Sequence, residues 1–351
     1  MTAPSPSGQK RAAVIYNPIK VDLDAIKEAV AASEKEAGFA ETLWLETSEE
    51  DPGGGQVKEA LKQGADVVVA AGGDGTVRAV AEGLRGSDAA LALLPSGTGN
   101  LLARNLHLTL DHIPTSIETA FLGQDRKIDL GIARIERENG EREEHAFLVM
   151  AGIGLDAQMV VNTNSELKKK VGWLAYVDAI VRSLRDRDKL RVRYELDDGS
   201  VRSLNVHTLL VGNCGSLPGN ILLLPEAAVD DGLFDIVALR PEGFFGWIQI
   251  WVKIIWENGV LRRSQVGRKL ISMTKEVRTL RYLKSSSFTA RLERPDEFEL
   301  DGDVFGEVVA FRTVVDHQAL TIRIPQDEEI DSPRHRDEPN DIDVKAATTG
   351  S

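Results

Sequence analysis

The run Asp66-Val67-Val68-Val69-Ala70-Ala71-Gly72-Gly73-Asp74-Gly75-Thr76-Val77 constrains this chain more than any other stretch. Its first six residues are short, apolar and rich in β-branched side chains, which suits a parallel strand covered on both faces. Gly72, Gly73 and Gly75 then permit a backbone path that a Cβ would obstruct, and they let a ligand approach the main chain. Thr76 reads as the N-cap of a helix over 77–84, whose first N–H groups attract phosphate. A carboxylate among those glycines would repel a bare phosphate. Asp74 therefore makes chemical sense if it holds Mg²⁺, directly or through water, against a nucleotide. The same residues also fit a tight strand-to-helix turn with no ligand, and one glycine loop does not separate the two readings.

A second stretch repeats the design. Leu91-Ala92-Leu93-Leu94-Pro95-Ser96-Gly97-Thr98-Gly99-Asn100 is an apolar strand, a glycine turn with a hydroxyl and an amide, and then a helix starting near Leu101. Two such turns after neighbouring strands would lie side by side at the carboxyl edge of a sheet, where open α/β folds bind ligands.

Around these turns, strands and helices alternate. Ala12–Tyr16 reads as a strand ended by Asn17-Pro18, 22–37 as a helix stopped by Gly38, and 41–46 as a strand leading to Thr47. Gly53-Gly54-Gly55 reads as a loop before a helix over 56–63. That order predicts a doubly wound parallel sheet. Near residue 130 the pattern changes to longer alternating strands, over 128–136, 144–150, 190–196, 201–211, 234–239 and 287–324, with a helical segment over 166–186. This predicts an antiparallel β-sandwich as a second domain.

Net charge is −13, which argues against non-specific nucleic-acid binding. Residues 326–351 carry eight acidic against three basic side chains and read as a disordered acidic tail. Cys214 is the only cysteine, so no intrachain disulfide forms and a reducing cytoplasm is the simple expectation. No apolar run approaches the ~20 residues that span a bilayer. The segment Phe244–Trp256 is nonetheless apolar nearly all round, with Trp247 and Trp251 on one helical face, and 261–284 follows with eight Lys or Arg against one Glu. An aromatic helix beside a basic stretch fits peripheral contact with an anionic membrane surface, and it also fits a helix packed on the sandwich.

In order along the chain, Asn17-Pro18, Gly72-Gly73-Asp74-Gly75-Thr76, Pro95-Ser96-Gly97-Thr98-Gly99-Asn100, Ala151-Gly152-Ile153-Gly154-Leu155-Asp156-Ala157, Asp230-Asp231-Gly232-Leu233-Phe234-Asp235 and Leu300-Asp301-Gly302-Asp303 resemble the diacylglycerol kinase catalytic-domain family of lipid kinases. That family includes bacterial diacylglycerol kinases and sphingosine kinases. The resemblance implies a 6-phosphofructokinase/NAD kinase-like first domain over 9–130, completed by about 310–325, and a β-sandwich lipid-substrate domain over 131–309. It implies an ATP-dependent lipid kinase that uses Mg²⁺ and phosphorylates a diacylglycerol-like or sphingoid alcohol.

By position it implies nucleotide contacts from Asn17, Thr47 and Thr98, and a phosphate cradle from the amides of 72–76 and 97–99. Thr47 also reads as a plain turn former. The resemblance further places Asp156 near the cleft between domains. It likens 228–233 to a structural Mg²⁺ loop, with the Asp231 carboxylate and the Ala228 and Leu233 carbonyls as ligands; read alone, Asp-Asp-Gly is a turn.

The family usually reads Asp-Gly-Glu where this chain has Asp301-Gly302-Asp303, and takes the Glu as proton acceptor. Asp303 is one methylene shorter and is the expected acceptor, with Asp301 as its support or a turn anchor. Gly302 either leaves both carboxylates on one strand face or bends the chain so that only one reaches the cleft. A second departure stands at Arg78-Ala79, where the family often has Asn-Glu; Arg78 reads equally as a charge near phosphate or as a solvated side chain. The rival readings are an NAD kinase-like or other small-molecule kinase, and a non-catalytic nucleotide-binding regulator. The oligomeric state stays open, with a homodimer among the options.

Overall fold

The three-valine run becomes β3 (Val67–Gly72), buried along its whole length, in a computed structural model that describes residues 8–154, 189–197, 199–217, 221–224, 226–240 and 280–326. It lies between β1 (Arg11–Tyr16) and β4 (Ala90–Pro95), with β2 (Ala40–Glu46) outside β1, and all these pairings are parallel. Alternate residues of these strands enter two different cores. Ala13, Ile15, Val68, Ala70, Leu91 and Leu93 pack with Val57 of α2 (Gly54–Lys62) and Val80 and Leu84 of α3 (Asp74–Leu84). Ala12, Val14, Val67, Val69, Ala92 and Leu94 pack with Ile26 and Val30 of α1 (Leu23–Ala37) and Ile117 and Phe121 of the later helix over Ile113–Leu122. Helices on both faces explain why the strands read as continuous apolar runs rather than alternating ones. The expected doubly wound first domain is present.

The expected loop at the triple glycine is shorter than anticipated. The helix α2 already begins at Gly54, because the Asp51 carboxylate accepts the amides of Gly53 and Gly55 and so caps that turn.

The chain then passes through α4 (Leu101–Asn105) and α5 (Ile113–Leu122) into a second, antiparallel region. Its strands are β5 (Gln124–Glu136), β6 (Arg142–Phe147), β7 (Met150–Ile153), β8 (Leu190–Leu196), β9 (Val201–Val206), β10 (Thr208–Gly212), β11 (Ser216–Leu217), β12 (Ile221–Leu222), β13 (Phe234–Leu239), β14 (Leu280–Ser285), β15 (Ser287–Leu300) and β16 (Asp303–Ile324). A core rich in stacked and tilted aromatics, among them Phe147, Tyr194, Phe234, Phe288, Phe298 and Phe311, fills this region.

The strand β16 joins the two regions. It pairs antiparallel with β15 and β5, and near its end Ile322 pairs parallel with Leu91 of β4. One sheet therefore runs from β2 through β4 and β16 to β14. A register shift between Asp316 and Leu320 bends β16 where its neighbours change, with Gln318 at φ 52°.

Two strands expected as continuous are broken. The stretch 144–150 divides into β6 and β7, because the amides of Leu148 and Val149 turn away from the ladder to the Asp301 carboxylate. The stretch 201–211 divides at His207, whose amide donates to Leu239 O. The helix expected over 166–186, most of the basic stretch, the aromatic segment Phe244–Trp256 and the acidic tail lie outside the described residues.

Candidate active site

The strand β3 ends at Gly72 and α3 starts two residues later, with Gly73 rather than Thr76 as its N-cap. The helix thus begins earlier than the sequence suggests, because Thr76 has another task. It is buried beneath the turn, and a Cβ at Gly72 would come within 2.7 Å of the Thr76 Cβ. Gly75 and Thr76 therefore lie in the first turn of α3, where a helix leaves its N–H groups without intrahelical acceptors.

The second glycine turn presses directly on the first. Ser96 N donates to Gly72 O, and a Cβ at Gly97 would come within 2.8 Å of the Gly73 Cα. Asn100 takes a left-handed conformation (φ 48°), and its side chain closes the loop by accepting from Gly97 N and donating to Gly97 O. The Gly97 amide, expected in the phosphate cradle, is thereby engaged. Arg104 of α4 adds a bond to Gly99 O. Thr98 stands exposed at the tip.

Asp74 ties these turns together. Its Oδ1 accepts Leu101 N at 2.6 Å and its Oδ2 accepts Asn100 N at 3.0 Å. Burial pushes its carboxyl above the ordinary range, the two amides pull it down, and the nearby Asp303 charge raises it again. A Cβ at Gly99 would land on this carboxylate, so that glycine is required by close approach.

Asn17 and Thr47 flank the turns. Asn17 Oδ1 accepts Ile19 N and its carbonyl accepts Lys20 N, which folds the chain back and brings Lys20 Nζ to 3.3 Å from the Cβ position of Gly73. The sequence reading missed Lys20, since a lone lysine in a turn carries no signal until the turn is placed. Thr47 is buried, and both its amide and its hydroxyl donate to Tyr16 O, as a turn former would.

The second region contributes a hairpin. Asp301 (φ 50°) and Gly302 (φ 91°) form a two-residue turn between β15 and β16, with Leu300 paired to Asp303. Positive φ at both positions is the Asp-Gly signature of a tight hairpin turn. The bend separates the two acids. Asp301 is only 4% exposed, and its carboxylate accepts the amides of Leu148, Val149 and Met150 at 2.8, 2.8 and 3.0 Å. Burial pushes its pKa up to about 6 while those amides pull it down.

Asp303 points the other way, with its side chain 49% exposed. Its Oδ2 lies 3.0 Å from the Cβ position of Gly75 and 3.2 Å from Arg78 Nη2. Arg78 neither faces solvent nor stands alone. Its guanidinium lies 4.6 Å above the Phe305 ring, whose centroid is 4.7 Å from that of His145.

The loop over 228–233 is held by a residue the sequence reading did not single out. Asp129 is fully buried; its amide donates to Val229 O, and its carboxylate accepts from Gly232 N and Gln318 N and lies 2.7 Å from His317 Nδ1. Asp230 pairs with Arg126 at 2.8 Å, and Asp231 Oδ1 accepts Leu233 N at 3.0 Å. Ala228 is buried. Among the described residues no three acidic, His or Cys side chains converge to hold a metal. A cation in this loop would rest on the Asp231 carboxylate and backbone carbonyls, a hard-oxygen set that suits Mg²⁺. Asp156 lies outside the described residues. Among the described residues no helix is long and apolar enough to cross a membrane.

Comparison with known proteins matches both regions of the chain. Residues 11–133 match the diacylglycerol kinase catalytic domain, and 148–254 match the YegS C-terminal NAD kinase beta sandwich-like domain. A diacylglycerol kinase of Staphylococcus saprophyticus is 31% identical over 237 residues, covering 66% of this chain and 73% of that protein. A Pseudomonas aeruginosa protein named probable lipid kinase YegS-like is 36% identical over 222 residues, 62% of this chain and 69% of its own length. A crystal structure of a diacylglycerol kinase from Bacillus anthracis superposes over 90% of this chain and 96% of that one, with a TM-score of 0.61 at 20% identity. The family match and the relatives of this fold set the class: a kinase. The chain belongs to the diacylglycerol kinase catalytic-domain family of lipid kinases.

Proposed function

We propose that the chain transfers the γ-phosphate of ATP to the hydroxyl of a diacylglycerol-like or sphingoid lipid. The observation that carries this reading is the approach of the Asp303 carboxylate to the first turn of α3, beside Asp74. Phosphoryl transfer asks the protein for positioning and charge stabilisation rather than covalent chemistry. The N–H groups of the first turn of α3 and the Lys20 ammonium supply positive potential for phosphate oxygens. Asn17, Thr98 and the glycine turns shape the nucleotide site, while Thr47 braces it.

Asp303 accepts the proton of the lipid hydroxyl as that oxygen bonds to phosphorus and ADP leaves, an assistance of ~10²–10⁴-fold in comparable reactions. Asp301 holds the hairpin that delivers it. Mg²⁺, when bound, neutralises charge on the phosphates and needs only one or two carboxylates beside them; Asp74 is suited to that place by its position, and Asp231 to a separate structural one. Lipid enters between the two regions, and the aromatic composition of Phe244–Trp256 with the basic residues that follow it in sequence supports peripheral contact with an anionic bilayer.

The test is radiolabelled ATP with the pure protein and a panel of lipid alcohols that includes a diacylglycerol and a sphingoid base. Labelled lipid phosphate, abolished by chelating Mg²⁺, is the expected result. No labelled lipid from any acceptor, with the protein folded and Mg²⁺ supplied, overturns the reading.

A further inference from the structure

Two charged side chains, one from each region, meet beside the first glycine turn. Arg78 of α3 and Asp303 of β16, although 225 residues apart, form one ion pair of 3.2 Å. We propose that they are a matched pair, in which Arg78 positions the shorter carboxylate of Asp303 over the glycine turn. The inference rests on the kinase reading and on Asp303 as proton acceptor.

Arg78 is well placed for this work. It lies four residues after Asp74, so the two share one face of α3. Its side chain is only 13% exposed. The Phe305 ring lies beneath its guanidinium, His145 packs against that ring, and His145 Nε2 lies 3.0 Å from Glu143 Oε2. Arg137 in turn grips Glu143 through two bonds and donates to the Phe305 carbonyl. The guanidinium is therefore braced from behind before it meets Asp303.

Its Nε is buried with no acceptor among the described residues. Solvation alone would turn that donor outward, so the ring and the carboxylate hold the side chain in place. A half-exposed ion pair adds little to stability. Its consequence is geometric: an aspartate cannot reach as far as a glutamate, and Arg78 fixes where its oxygen sits. A Glu at 303 with Arg78 still present would carry its carboxylate one methylene past that point. Arg78 also offsets the charge of Asp303 and acts on the buried Asp301 beyond it.

The experiment is a double-mutant cycle on the full chain with Arg78→Asn, Asp303→Glu and the two combined. Steady-state turnover is measured with ATP and the lipid alcohol of the panel that gives the highest wild-type rate. Beside Arg78, Asp303→Glu is expected to lower kcat by about tenfold; beside Asn, the same change leaves kcat level or raises it. That shift of preference matches the coupling found between touching side chains. KM for ATP should move by less than ~2-fold across the series, since the interaction acts on the reacting step. Arg78→Lys should retain more kcat than Arg78→Asn, and Arg78→Gln replaces Arg78→Asn if that variant does not fold. Equal effects of Asp303→Glu in both backgrounds overturn the pairing and leave the kinase reading standing. A folded wild type inactive on every lipid alcohol overturns that reading, and the pairing with it.

Discussion

Asp301 and Asp303 are two residues apart and face opposite environments. Asp301 is sealed in and satisfies three backbone amides, while Asp303 is half-exposed beside α3. Their amides should therefore fail differently. Asp301→Asn sets an amide donor against at least one backbone N–H, which costs about 1–3 kcal/mol for a buried unsatisfied group. Asp303→Asn adds no new buried group without a partner, since the amide oxygen can still accept from Arg78 Nη2, and should unfold at the wild-type denaturant midpoint while losing most turnover. Urea denaturation read beside kinase assays separates the two. If Asp303→Asn stays active while Asp301→Asn folds normally and is dead, the proton acceptor is Asp301.

At the scale of elements, α3 is the bridge. Arg78 and Glu82 on one side of the helix, and Arg85 just past its end, all reach the second region. Arg78 meets Asp303, Glu82 accepts Ala146 N, and Arg85 pairs with Glu144 and Asp316. On β6, Glu143 sits beneath this contact. Its hydrogen bonds from Arg137 and then its contact with His145 hold its pKa down to about 2, against an ordinary value of 4.5. The unfolded chain thus binds a proton that the folded chain does not, between those two values. The stability Glu143 contributes is complete above pH 4.5 and is lost as pH falls toward 2. Glu143→Gln should lack this component, so its thermal midpoint should fall less steeply than wild type over that window. Parallel midpoint-against-pH curves would mean that Arg137 does not hold Glu143 in solution.

At the scale of the whole molecule, the two regions share a strand rather than merely touching. The strand β16 leaves the acidic hairpin, runs beside β5, and ends against β4 of the first sheet. Ile322 and its partner Leu91 are both fully buried at that junction. Truncating such a side chain costs about 2–5 kcal/mol. Ile322→Ala should therefore lower the unfolding temperature of both regions together, as one calorimetric transition. Two separated transitions, with only the first region destabilised, would show that the shared strand does not couple them.

By itself the sequence determined what depends on near neighbours. The apolar runs around Val67–Ala71 and Leu91–Leu94 specified buried strands. Asp22 and Gly38 marked the ends of α1, and the glycines marked both turns. These signals are local because propensity, capping and turn chemistry act over a few residues. The order of the motifs also carried the family. Where a side chain had a distant partner, the local reading slipped. Thr76 looked like a cap and instead fills the space beneath Gly72, and the strand expected through Met150 breaks at amides taken by an acid some 150 residues later. Asp129 and Lys20 carried no signal, since one needs the bend of β16 and the other the folded Asn17 turn. Only the closure of β16 onto β4 and β5 decided that Arg78 meets Asp303 and that Asp301 is buried. Burial and pairing across such a span are properties of the packed sheet, which no stretch of the chain contains alone.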